Sequence, residues 1–303
     1  MNKTHLVTGA AIATLAITAT SLSQTPSAPA TPTPQSAEEA TTVLMRGQPP
    51  DSTDQPSPRG ADGKPDFTGF WRPVREPGKP GGNLAKDYPD FLLPFNDTGK
   101  RAVQYSYNHT VDPEALCILG GIPRHNGSGL PFEVLHTPNR IGFTYNYNTS
   151  RRISIGDDLK LDAGAPRRYF GTAVARWDGD TLVIETTRLF DTTHDKIWLD
   201  ENGNPTSNET HVVERWTRPD FNHFRLEMTV TDPKYYAEPI RFVRTWAPAP
   251  EGQGQQEYAC NESNLATDNI GPGAGVIGPD GNRGYGKPAP LPNAPPGPEA
   301  YGL

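Results

Sequence analysis

Positive charge is scarce in this sequence. Its 303 residues carry 28 Lys and Arg against 35 Asp and Glu, a formal net charge of -7. Nucleic acid is a poor partner for such a chain, because phosphate binding needs clustered cations. Apolar residues are scarce too, at 34%, under the usual globular share. Two cysteines are too few for a Cys-rich zinc site. Walker loops, HExxH and GxSxG are all missing, so P-loop binding, zincin chemistry and the α/β-hydrolase elbow lack a basis. Beyond the first residues, no apolar run approaches the roughly 20 residues that span a membrane.

Proline and glycine, by contrast, are plentiful. The 33 prolines and 30 glycines make up about a fifth of the chain, and they concentrate at its ends. Lys3 and His5 precede the apolar run Leu6–Ile17, and small residues follow at Ser21-Leu22-Ser23. This is the layout of a secretory signal cleaved near Ser23. The mature chain would be periplasmic or extracellular, with no membrane anchor. Residues 24–64 read as a disordered Pro/Ser/Thr-rich linker and 263–303 as a Gly/Pro-rich tail, leaving a domain at 65–262. In an exported chain, Cys117 and Cys260 would pair, closing a loop of about 140 residues worth about 4–5 kcal/mol. The alternative is two unrelated buried thiols.

The domain reads as strands. Phe224, Leu226, Met228 and Val230 alternate with Arg225, Glu227 and Thr229, the pattern of a strand with one buried face. Thr172–Trp177, then Asp178-Gly179-Asp180, then Thr181–Thr186 is strand, tight turn, strand. Further strands are expected at 132–137, 141–147, 151–155, 211–217, 240–246 and 257–260, and one helix at 98–107. The fold class is all-β: an antiparallel meander closed into a barrel, which removes its edges, with a two-sheet sandwich as the alternative. Asp66-Phe67-Thr68-Gly69-Phe70-Trp71 resembles the Gly-x-Trp entry of the lipocalin and calycin barrels. That resemblance implies a basic side chain from a late strand packed on Trp71, with Arg241 and Arg244 as candidates.

Several segments resemble, as a set, a large family of exported bacterial proteins, mostly of unassigned activity. They are Pro65–Trp71, Cys117 with Gly121-Ile122-Pro123-Arg124, Pro131-Phe132-Glu133, Arg151-Arg152-Ile153, Arg176–Thr186, Trp198-Leu199-Asp200, His211–Arg215 and Glu257–Cys260. The resemblance implies secretion, a β-rich fold and paired positions for both cysteines. It departs where the family carries a His-Pro-His stretch; this chain has Asn204-Pro205-Thr206, so no metal or acid–base role carries over.

Gly273–Gly278 matches GxGxxG, but without a preceding strand it supports no dinucleotide site. No cofactor is expected, and no histidine pair has metal-ligand spacing, which leaves a metal assembled from separate strands as the alternative to none. The candidate general bases are His194, beside Asp191 and Asp195, together with His211 and His136. Arg152 could stabilise a developing oxyanion. Strand alternation sends one of Arg151 and Arg152, and one of Glu214 and Arg215, toward the interior, where Arg151, Glu214 or Arg215 would help bind the anion or carbonyl of a ligand; cross-strand ion pairs on the outer wall are the alternative. Tyr145, Trp177 and Trp198 offer flat faces to a ring-shaped ligand. The reading leans to a barrel that binds a small apolar or aromatic ligand in its cavity. The competing one is a cofactor-independent lyase, isomerase or hydrolase in the same place. The long connections 156–170 and 187–210 are expected to share one rim. His194 and Trp198 would stand beside that mouth, His211 just inside it, and Tyr145 and Arg152 on the wall.

Overall fold

The computed structural model describes residues 55–74, 84–89, 93–110, 112–145, 149–192, 197–250 and 252–260. The signal, His194, the GxGxxG match and the tail lie outside these. Among the described residues nine strands form one sheet: β1 (Gly69–Pro73), β2 (Phe132–Thr137), β3 (Arg140–Tyr145), β4 (Thr149–Ser154), β5 (Thr172–Asp178), β6 (Thr181–Thr187), β7 (His211–Thr217), β8 (Phe224–Thr231) and β9 (Ile240–Pro248). Their order is β4-β3-β2-β1-β9-β8-β7-β6-β5, with every neighbouring pair antiparallel. The first and last strands pair, which curls the meander into a nearly closed barrel. Helix α1 (Asp97–His109) is capped by Asn96, whose side chain accepts from Gly99 N. Residues 257–260 form no strand.

Nine is an odd number, and this decides the seam. In an antiparallel order of nine, the two end strands β4 and β5 run parallel. Parallel strands need a crossover of about a dozen residues or more, and residues 155–171 supply it. β4 and β5 meet at one isolated parallel bridge, Ile155 with Ala175, beside Gly156 N–H donating to Ala175 O at 2.9 Å. The crossover therefore starts at one end of the barrel and finishes at the other. Its second half reaches the 187–210 connection through the Arg168–Leu189 bridge. The shared rim expected from the sequence is corrected on this point.

The base of the barrel is the end holding the Pro138-Asn139 and Asp178–Asp180 turns. Gly179 takes a positive φ of 61° there, as a tight hairpin requires. Trp71 enters from β1 and donates its indole N–H to Phe67 O at 2.9 Å. The cation on its face is Arg218, 4.8 Å from the ring, not Arg241 or Arg244. Arg244 instead pairs with Asp87 and lies over Phe242. Residues 55–64, which composition assigns to the linker, belong to the base: Pro56 bridges Asp220, and Arg59 pairs with Asp180 at 2.6 Å.

Alternation along the strands turns Phe132, Phe143, Trp216, Phe224 and Trp246 inward, all buried. The Trp216 ring lies 4.7–5.9 Å from the other four. Each such side chain contributes about 2–3 kcal/mol by leaving water. Among the described residues, the middle of the barrel holds an aromatic core.

Candidate functional site

Above the aromatic core, toward the end opposite the base, the interior turns polar. Arg151 on β4 and Glu214 on β7 form an ion pair at 2.6 Å, their side chains 2% and 0% exposed. A second guanidinium nitrogen of Arg151 donates to Thr186 Oγ1 on β6 at 2.5 Å. Asn126 donates to the other Glu214 oxygen at 2.6 Å, and Tyr145 O–H donates to Asn126 Oδ1 at 3.0 Å. Burial holds the Tyr145 phenol far above its ordinary range, so it stays a donor. Arg151 crosses the weakly bonded seam, and the seam strand β5 turns only small residues, Ala173 and Ala175, inward at this level.

A cap closes this end. The short helix α2 (Arg124–Gly127) is wholly buried and delivers Asn126 to the network. Its entry depends on Gly121, whose φ is +69° and where a Cβ would stand 2.0 Å from Tyr169 O. Arg124 makes two hydrogen bonds to Asp112, at 2.7 and 2.8 Å, and reaches Glu114 at 2.9 Å. Burial opposes its charge, but Glu114 and Asp112 outweigh that and hold Arg124 charged. Burial, against the pull of Arg124, raises Glu114 to about 7, with Asp112 and Glu201 adding to the rise. Burial and the Arg124 charge lower His125 to about 4. The neutral His125 donates Nδ1–H to Gly121 O at 3.0 Å, and its ring meets Tyr145 and Phe170 edge-on. Cys117, at the end of the turn bearing Glu114, is disulfide-bonded to Cys260 across 143 residues. That bond ties the cap to the chain following β9, the covalent state of an oxidising compartment.

Of the residues singled out in the sequence, the fold brings Tyr145, Arg151 and Glu214 together. Arg152 is exposed on the outer face of β4, and Arg215 lies outside with Asp178 at 2.9 Å. His211 also faces outward, 39% exposed and 4.0 Å from Glu185. His136 points inward but at the base, stacked on Phe67 beside Trp177; burial lowers its pKa. Trp198 is buried in the 187–210 connection and donates to Thr110 Oγ1 at 3.3 Å. Asn126, Thr186, Arg124 and His125 escaped the reading of the sequence. The one signal for the cap was the Gly121-Ile122-Pro123-Arg124 segment. Among the described residues no three His, Cys, Asp or Glu gather as a metal group, and no helix is long and apolar enough to cross a membrane. A groove of about 330 Å³ lies on the outer face over Gly142, between Leu135, Thr144, Ser150 and Arg152.

No family model matches the chain, and no curated protein does. Among solved structures, wild-type fluorescent protein UnaG is similar over 60% of this chain and 97% of its own, with 10% identity and a TM-score of 0.29. A single-substitution mutant of UnaG is similar over 61% and 97%, with 11% identity and a TM-score of 0.27.

Proposed function

We propose that this is an exported barrel protein that binds a small apolar or aromatic ligand. The ligand would lie at the capped end, between the aromatic core and the Arg151–Glu214–Asn126–Tyr145 network. The observation that carries this reading is the network itself, set beside an aromatic core. A buried ion pair of this kind is weak support for stability, since well-packed apolar residues often do as well or better. A recognition role accounts for its presence, as convergent polar groups on apolar walls are the usual make-up of a small-molecule site. The disulfide and the Leu6–Ile17 run support export, and the resemblance of eight segments to exported bacterial proteins points the same way.

Two experiments test the proposal. Ligand-observed NMR with a library of small aromatic compounds should find saturable, one-to-one binders of the full chain. A library that yields no binder overturns the binding reading. N-terminal sequencing of the chain produced in a bacterium should show cleavage near Ser23 and recovery outside the cytoplasm. An intact N-terminus in the cytoplasmic fraction overturns export.

A further inference from the structure

Several buried donors lack an acceptor among the described residues, and two of them, Arg151 Nε and Trp216 Nε1, stand near each other at the polar end of the barrel. Both side chains are at least nine-tenths buried. Both border the same ring. Arg151 is the cross-strand partner of Phe143, and the Trp216 ring lies 5.3 Å from that of Phe143. Trp216 also follows Glu214 by two residues on the inward face of β7. An N–H buried without a partner is costly, so native proteins keep few, and each calls for a partner. Arginine and the indole nitrogen can only donate. Whatever satisfies them must accept.

The charge of that acceptor follows from Glu214. The Arg151 cation is already opposed by one buried carboxylate at 2.6 Å. A carboxylate ligand would set a second negative charge beside Glu214 in a site of low dielectric, which is strongly disfavoured. A neutral oxygen avoids this. Resting on the binding reading above, we infer that the ligand is a flat apolar compound bearing a neutral carbonyl-type oxygen. That oxygen is taken by Arg151 and Trp216 together.

The test compares 2-acetylnaphthalene, 2-naphthoate and naphthalene on the full chain by calorimetry, with the indole N–H resonances followed by NMR. The ketone should bind at least tenfold tighter than either of the others, and it alone should move the Trp216 indole signal. Trp216→Phe and Arg151→Lys each remove one donor, and the lysine keeps a cation for Glu214. Either variant should weaken the ketone by a larger factor than it weakens naphthalene, leaving the two within about twofold of each other. Equal binding of ketone and naphthalene would mean that water alone serves the two donors; the inference then falls and the binding reading stands. Tightest binding of naphthoate overturns it equally. If none of the three binds, the inference falls as well, and the wider library decides the binding reading.

Discussion

Arg151 and Glu214, on β4 and β7, meet at 2.6 Å across the β4–β5 seam, where a single parallel bridge stands among the described residues in place of a strand ladder. β5 lies between β4 and β6 in the wall, and its inward alanines leave Arg151 room to pass. The pair therefore does two things: it clasps the seam from inside and gives the interior its polar end.

The clasp predicts an asymmetry. Glu214→Ala leaves a buried cation unpaired and should destabilise the protein by about 3–5 kcal/mol. Arg151→Met combined with Glu214→Leu should recover most of that loss. Urea unfolding of the three proteins checks it. A double variant as unstable as the single one would show that the clasp cannot be replaced by packing.

The cap predicts a pH dependence hidden by compensation. Glu114 is raised to about 7 in the folded chain, so its contribution to stability is present in acid and fades as pH rises toward 7. His125 is lowered to about 4, so its contribution is present at neutral pH and is lost as pH falls from about 6.5 through 4. The slopes oppose each other in the shared window. Glu114→Gln should expose the histidine slope alone, with stability falling on the order of 3 kcal/mol from pH 6.5 to 4. Unfolding midpoints of both proteins across that range test it; parallel curves would refute it.

Loss of the disulfide should be felt first in the cap. Cys117→Ser with Cys260→Ser opens a closure of 143 residues, worth about 4–5 kcal/mol in the chain-entropy picture. Hydrogen exchange should quicken in 112–128 before it does in β7 and β8. Uniform quickening across the barrel would show that the bond supports the whole fold rather than its lid.

Much of the wall was legible because alternation and turn chemistry are local. The β5–β6 hairpin follows from its Asp-Gly turn, and β8 from its four inward apolar residues. Alternation also required one of Arg151 and Arg152, and one of Glu214 and Arg215, to face inward. It could not say which, because that depends on which face of β4 and β7 the closed barrel turns inside. The oxyanion role drawn for Arg152 requires an inward side chain, and Arg152 faces solvent. The parallel seam depends on the total strand count, which no single segment carries. The cap escaped for a related reason: Arg124, His125 and Asn126 are buried by tertiary contact in a segment with no apolar period. Arg218 was passed over for Arg241 and Arg244 because it lies just past the end of β7. It reaches Trp71 by anchoring on Asp66 O and Phe221 O at 2.6 and 3.0 Å.

The most direct measurement is a crystal structure of the full chain grown with 2-acetylnaphthalene. Its rings should lie at the capped end beside Phe143, with the ketone oxygen within hydrogen-bond distance of Arg151 Nε or Trp216 Nε1. A ligand held only in the outer groove between Leu135 and Arg152, with Phe143 and Trp216 unmoved, would contradict this placement.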